Sequence, residues 1–103
     1  MWAQLINTRL RPGHDEGLQQ LSAQLRAFEQ PGSGLVRSTA MRDQKDPSQV
    51  YMLVVFESEE KARERERGRA GQEGFEAVRA TMAEIFEGPP EFVDLIVVEE
   101  TTP

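Results

Sequence analysis

The first thirty residues change from an alternating pattern to a helical one. Apolar and polar residues alternate with a period close to two from Trp2 to Leu10, which is typical of a β-strand. Arg11-Pro12-Gly13 then supplies a turn. Beyond it, apolar residues recur at steps of three and four at Leu18, Leu21, Leu25 and Phe28. This spacing predicts an amphipathic helix that ends at Pro31-Gly32-Ser33-Gly34.

Two further strands are predicted in the middle of the chain. The first covers residues 35–42, and the second, residues 50–56, is a nearly continuous apolar run. The polar residues between them include Pro47 and two aspartates, which favour a turn, so the pair is predicted to form an antiparallel hairpin. Continuous hydrophobicity in the second strand indicates that both of its faces are covered.

A second helical region and a last strand complete the pattern. Ser58 begins a highly charged segment, and the glycines at 68, 71 and 74 are predicted to interrupt the helix. Apolar periodicity resumes at Phe75 and continues to Phe86. Gly88-Pro89-Pro90 is predicted to end that element, and residues 92–98 form the last predicted strand.

The order strand, helix, strand, strand, helix, strand predicts one domain over residues 1–103. It is typical of an α+β, ferredoxin-like βαββαβ fold with a four-stranded antiparallel sheet and helices on one face. The other sheet face is too apolar to be solvated, because residues 50–56 and 95–98 do not alternate with polar residues. A homodimer that pairs through this sheet face is therefore predicted.

Composition narrows the possible chemistry. The 103 residues contain no cysteine and one histidine, which excludes thiolate nucleophiles, disulfides and Cys-ligated or multi-histidine metal sites. The net charge of −6 disfavours nucleic acid and anionic membranes as partners. The N-terminal residues do not resemble a targeting signal, and the apolar run at 52–56 is too short to span a membrane, so we expect a cytoplasmic protein.

Three segments carry a resemblance to a known family: Arg11-Pro12-Gly13, Pro31-Gly32-Ser33-Gly34-Leu35, and the run from Tyr51 to Glu60. Through them, the chain resembles the dimeric α+β barrels of the antibiotic-biosynthesis monooxygenase type from about Trp2 to Val98. Members of that family include cofactor-free oxygenases of phenolic or quinol substrates and haem-degrading oxygenases. The resemblance implies the fold more specifically than the activity.

Candidate catalytic residues are Asn7 and Tyr51. A carboxamide within a strand is unfavourable, and the resemblance implies that Asn7 lines a pocket between sheet and helices; the alternative is a polar residue bonded to a neighbouring loop. Tyr51 adds a hydroxyl. His14, in the turn before the first helix, is interpreted as a surface residue. The candidate substrate-binding residues are Arg9, Trp2, Met52 and Phe75, although Trp2, Met52 and Phe75 also fit ordinary core packing.

Relatives that degrade haem carry a Trp and a His on the second helix, and residues 61–79 contain neither. We therefore expect no haem, no metal and no other cofactor. The leading hypothesis is a cofactor-independent monooxygenase of a small aromatic substrate of the phenol or quinol type. One alternative is a non-catalytic homodimer of the same fold that binds a small apolar or aromatic ligand or is only structural. Another is a lactone isomerase with Tyr51 as its acid or base.

Overall fold

The computed structural model describes residues 1–103 and contains four strands and three helices. They are, in chain order, β1 (Trp2–Leu10), α1 (Asp15–Phe28), β2 (Leu35–Arg42), β3 (Gln49–Phe56), α2 (Glu59–Ala70), α3 (Phe75–Ile85) and β4 (Phe86–Ile96). The strands form one sheet in the order β2-β3-β1-β4, with every neighbouring pair antiparallel. The predicted ferredoxin-like arrangement is confirmed. None of the helices has the length and hydropathy of a membrane span.

The two central strands, β1 and β3, place alternate side chains on opposite faces of the sheet. Thr8 pairs with Val50, and Val50 belongs to the apolar core beneath the helices. The next pair, Asn7 with Tyr51, therefore points to the opposite face. We call this second face, which no helix covers, the outer face. Its members on three strands are Ala3, Leu5, Asn7, Arg9, Gln49, Tyr51, Leu53, Val55, Glu87, Glu91, Val93 and Leu95.

The helix-covered face holds two separate apolar clusters. The larger lies under α1 and α3 and consists of Leu10, Leu21, Val50, Phe75, Val78 and Ile85. The smaller lies under α2 and consists of Trp2, Val54, Phe56 and Ala62. Ala62 is the one buried residue of α2, and no partly buried apolar residue of α2 packs beside it. Apolar packing therefore holds α2 less than α1, which adds Leu18, Leu25 and Phe28 around the buried Leu21, and less than α3, which buries several residues.

The second helical region is divided into two helices, as its glycines predict, but the break does not come at the first glycine, Gly68. α2 continues through Gly68 and ends at Ala70, and α3 begins after Gly74, whose φ of 89° is left-handed. Gly68 does not break the helix because a solvent-exposed glycine costs only about 1 kcal/mol relative to alanine. The break comes at 71–74, where the chain must turn.

The predicted limits of the last strand, 92–98, are wrong. Gly88-Pro89-Pro90 lies inside β4, which starts at Phe86 and ends at Ile96. Proline is tolerated there because β4 is an edge strand with one side unpaired. The register with β1 also shifts at this point, since Asn7 pairs with Glu91 and Arg9 pairs with Glu87.

The residues after β4 cross one end of the outer face. The backbone N–H of Val97 donates to the carbonyl of Met1, and Glu100 accepts a 2.6 Å bond from Arg37 on β2, at the opposite edge of the sheet. This path accounts for the burial of Ala3 and Val55, which are 4% and 2% exposed although they lie on the outer face.

Replacing Gly34 by alanine should lower the free energy of unfolding by roughly 2–4 kcal/mol. Gly34 has a φ of +86°, and a Cβ there would lie 2.5 Å from the Cβ of Lys61 on α2. Gly32→Ala is the matched control, because its φ of +80° is similar but no atom lies within 4 Å of the added Cβ. Urea denaturation measures both variants. Equal losses would show that the approach of Lys61 contributes nothing.

Candidate functional site

An apolar cavity of about 180 Å³ lies between α1 and the sheet. We call it the α1 cavity. Its walls come from the leucine stripe of α1, from β2 and β3, and from the start of β4: Leu18, Leu21, Ser22, Leu25, Ala40, Met41, Arg42, Val50, Met52 and Phe86. Because an apolar protein cavity of roughly 150 Å³ accepts benzene, the α1 cavity has the volume for a single aromatic ring.

Arg42 is the one charged residue in the lining of the α1 cavity. Its Nε donates to the carbonyl of Pro47 at 2.8 Å, and its Nη2 donates to Asp15 at 2.9 Å. These two contacts fix the guanidinium between the β2–β3 turn and the first turn of α1. A positive charge held at an apolar cavity favours a ligand with an anionic or ionisable oxygen.

The structure separates the predicted site residues between the two faces of the sheet. Met52 lines the α1 cavity, whereas Asn7 and Tyr51 lie on the outer face and do not line the space beneath the helices. Arg9 shares the outer face with Asn7 and forms an ion pair with Asp46 at 3.2 Å. His14 is the N-cap residue of α1, half-buried, and its side chain makes no capping bond.

Asn7 is unusual among the outer-face residues. Its Nδ2 donates to Glu91 at a long 3.4 Å, and its Oδ1 is buried without any hydrogen-bond partner. A buried carbonyl oxygen that lacks a donor costs about 1–3 kcal/mol. The Oδ1 of Asn7 is therefore an unsatisfied hydrogen-bond acceptor inside the folded chain.

Trp2 and Phe75 are core residues. Trp2 is 8% exposed, with its ring centre 6.2 Å from that of Phe56 and 5.1 Å from the guanidinium carbon of Arg63. Phe75 is 9% exposed and meets Phe28 edge to face at 5.3 Å. Neither residue lines the α1 cavity.

A second concavity, of about 390 Å³, lies between the end of α1 and one side of α2. We call it the Arg65–Arg69 hollow. Its lining is mostly polar: Phe28, Glu29, Gln30, Pro31, Gly32, Ser33, Glu64, Arg65, Gly68, Arg69 and Gln72. The Glu29 carboxylate is at its centre and accepts bonds from Arg65 at 2.6 Å, Ser33 at 2.8 Å and Arg69 at 3.1 Å.

The sequence matches no protein-family model and no curated protein. The structure, in contrast, matches solved structures over nearly its whole length. A variant of SnoaB, a cofactor-independent oxygenase from Streptomyces nogalater, is 17% identical with a TM-score of 0.73, covering 96% of this chain and 94% of that one. An antibiotic biosynthesis monooxygenase is 14% identical with a TM-score of 0.68, covering 96% and 100%. Rv0793 from Mycobacterium tuberculosis is 16% identical with a TM-score of 0.73, covering 98% of each chain.

This chain shares its fold with these proteins, among them an antibiotic biosynthesis monooxygenase. The predicted resemblance is confirmed at that level, by agreement in shape rather than in sequence.

Within the antibiotic biosynthesis monooxygenase fold, sequence reasoning missed most of the α1 cavity and the whole Arg65–Arg69 hollow. The leucines of α1 were visible as a helical stripe, but a stripe of this kind does not distinguish a cavity wall from a packed core. Arg65 and Arg69 lie in a run of alternating charges that is typical of a solvent-exposed helix surface. Their partner, Glu29, is 36 and 40 residues away along the chain, so only the folded structure connects them.

Glu29 is the carboxylate most strongly held by its neighbours in this fold. Burial alone would raise its pKa, but hydrogen bonds from Arg65 and Ser33 and the charges of Arg65 and Arg69 outweigh burial and lower the pKa. A carboxyl whose pKa is lowered on folding stabilises the fold above its unfolded-state pKa. That contribution is lost as the pH falls through the folded-state value.

Glu29→Gln should therefore destabilise the protein at neutral pH and reduce the acid sensitivity of its stability. The difference in unfolding free energy between wild type and variant should shrink between about pH 6 and pH 3, as measured by urea denaturation at several pH values. Glu76→Gln is the control, because the Glu76 side chain is 88% exposed. An acid dependence that Glu29→Gln leaves unchanged would contradict the assignment.

Proposed function

We propose that this chain is a cofactor-independent monooxygenase that oxidises a small phenol- or quinol-type molecule bound in the α1 cavity. The observation that carries the proposal is the cavity itself, which is apolar, has the volume of one aromatic ring, and has a single charged residue, Arg42, in its lining. The fold supports it, because the structurally similar SnoaB is a cofactor-independent oxygenase.

The reaction needs no external reductant. A phenol and O₂ give a quinone and water: one oxygen atom replaces the ring hydrogen at the reacting carbon, and the other leaves as water with that hydrogen and the hydroxyl hydrogen. All electrons come from the substrate, which must first lose its hydroxyl proton and then transfer an electron to O₂. The protein's task is to orient the ring and favour the phenolate.

Arg42 is the residue that would favour the phenolate. A guanidinium beside the substrate oxygen lowers the pKa of the substrate hydroxyl, because it stabilises the anion. The leucines of α1 and Met52 would hold the ring and exclude water. Ser22 offers the other polar side chain in the lining, a hydroxyl that can donate to the same oxygen.

Oxygen uptake with a panel of phenols and hydroquinones tests this function. We expect turnover above buffer for at least one single-ring substrate and a loss of at least about tenfold in kcat/KM for Arg42→Gln. Arg11→Gln is the matched control, since Arg11 is exposed and lies outside the cavity lining. Turnover that Arg42→Gln leaves intact would contradict the role of Arg42, and no turnover for any substrate would contradict the activity.

Asn7→Ala, measured in the same assay, locates the reaction. Asn7 and Tyr51 can contact a substrate only on the outer face. If they are catalytic, as predicted, the reaction takes place on that face. Turnover that survives Asn7→Ala and Tyr51→Phe supports the α1 cavity. A loss in both variants, with Arg42→Gln unaffected, supports the outer face.

We also propose that the chain functions as a homodimer joined through the outer face. Leu5, Leu53 and Val93 form an apolar row across the three strands β3, β1 and β4, and no helix of the same chain covers it.

A second candidate function is ligand binding without catalysis. The observation that favours it is the lining of the α1 cavity, which includes no carboxylate, histidine or tyrosine that could act as a base. A phenol that raises the melting temperature and is recovered chemically unchanged under air would support this alternative.

A further inference from the structure

The Arg65–Arg69 hollow contains more hydrogen-bond donors than the chain satisfies. Arg65 uses Nε and Nη2 on Glu29, and Arg69 uses only Nη2. The remaining guanidinium nitrogens, Nη1 of Arg65 and Nε and Nη1 of Arg69, have no acceptor within the chain, and none of them is sealed away from solvent. Three charged donor positions are thus left without an acceptor in the chain.

The ion pairing in the hollow is also unbalanced. Two guanidinium groups, whose side chains are 18% and 14% exposed, face the single carboxylate of Glu29. Burial and the charge of Arg65 lower the pKa of Arg69, and the attraction of Glu29 does not offset them. A second anion would relieve this imbalance.

The walls of the hollow suit a small polar ligand. Gly32 and Gly68 leave space because they carry no side chain, and a Cβ at either position would meet no atom within 4 Å. Gln30, Gln72 and Ser33 add polar groups, and Phe28 is the one hydrophobic residue in the lining. Glu64, the other acidic lining residue, is exposed.

We propose that the Arg65–Arg69 hollow is a binding site for a small oxyanion, a phosphoryl or carboxylate group held by the free guanidinium nitrogens of Arg69 and Arg65. Guanidinium groups bind both kinds of oxyanion through paired N–H donors. The site is separate from the proposed function, since the hollow and the α1 cavity share no lining residue.

The effect of neutralising Glu29 on anion affinity distinguishes an anion site from an ion cluster that only stabilises the fold. If Glu29 only links α1 to α2, its neutralisation weakens the fold and has no effect on anion affinity. If the hollow is an anion site, Glu29 competes with the ligand for the same guanidinium groups. Glu29→Gln then destabilises the free protein but tightens anion binding.

Calorimetric and thermal titration with inorganic phosphate, with sodium chloride at matched ionic strength as the reference, tests the proposal. Phosphate at about ten times its Kd should raise the melting temperature by roughly 5–10 °C. Arg69→Gln should raise the Kd at least about tenfold, and Glu29→Gln should lower it by about tenfold. Sodium acetate in a parallel titration separates the two ligand chemistries, since a phosphoryl site responds to phosphate alone and a general oxyanion site responds to both.

Arg67→Gln is the matched control. It makes the same charge change on the same helix at an exposed residue outside the hollow. This control is needed because phosphate is excluded from protein surfaces and so stabilises proteins in general. Equal phosphate shifts for wild type, Arg69→Gln and Arg67→Gln would overturn the proposal. If Arg69→Gln does not fold, the comparison of wild type with Glu29→Gln decides, and an unchanged or weaker affinity in Glu29→Gln overturns it.

Discussion

Replacing Leu53 by glutamate should convert a dimer into a monomer. Leu53 lies on β3 at the centre of the outer face, next to Leu5 on β1 and Thr39 on β2. In a two-fold symmetric contact, one substitution places two carboxylates in the interface. Because desolvating an unpaired charge costs several kcal/mol, we expect the dimer Kd to rise at least about 1,000-fold.

Light scattering measures this effect directly. Wild type should have twice the 11.6 kDa mass of the chain, and Leu53→Glu should have the mass of one chain. Ser38→Glu is the control: Ser38 is exposed and pairs with Val54, on the helix-covered face. A wild-type mass of one chain at micromolar concentration would refute the outer-face dimer, and so would an unchanged mass for Leu53→Glu with circular dichroism intact.

Replacing Ala40 by phenylalanine should abolish binding in the α1 cavity without unfolding the protein. Ala40 lies on β2 beside Met52 and lines the cavity, so a ring added there occupies the space that a substrate ring would need. We expect at least about a 100-fold loss of ligand affinity or kcat/KM. The melting temperature should hold or rise, because filling an apolar cavity adds contacts.

Ser38→Phe is the control for Ala40→Phe. It adds the same ring on the same strand and the same face, one pair further along and outside the cavity lining. Retained binding in Ala40→Phe would place the ligand elsewhere. A loss of binding in both variants would indicate a disturbed β2 rather than a filled cavity.

The element order could be predicted from sequence because it depends on local signals. Period-two strands, the leucine stripe of α1 and the glycine break after α2 are all visible within short windows. The start of β4 was not predictable in this way. Gly88-Pro89-Pro90 has the chemistry of a terminator, and it is tolerated inside a strand only because β4 lies at the sheet edge, a fact of the assembled fold.

The candidate site was less predictable because it depends on which face of each strand the helices cover. Periodicity shows that Asn7 and Arg9 share a face, but β1 carries apolar residues on both faces, so the sequence does not say which one is covered. The pairing of Thr8 with Val50 decides it. The Arg65–Arg69 hollow needs contacts across 36 to 40 residues, and no local pattern contains them.

α2 is held in an unusual way for a helix in a small domain. One buried alanine anchors it, while Arg63 and Arg65 lie over the rings of Trp2 and Phe56 at 5.1 and 5.3 Å. Arg65 also bonds Glu29 at the end of α1. Because guanidinium–ring and ion-pair contacts replace apolar burial, α2 should be the first helix to open as salt concentration rises.

The hydrogen bond between Val97 and Met1 has a mechanical consequence. It places the beginning of β1 and the end of β4 side by side, and these two strands are antiparallel neighbours with β4 at the edge of the sheet. A force that pulls the two chain ends apart therefore acts across the β1–β4 hydrogen bonds at one end of the ladder. The bonds break one after another, as in a zipper, and β4 peels from the sheet before the core beneath the helices carries any load.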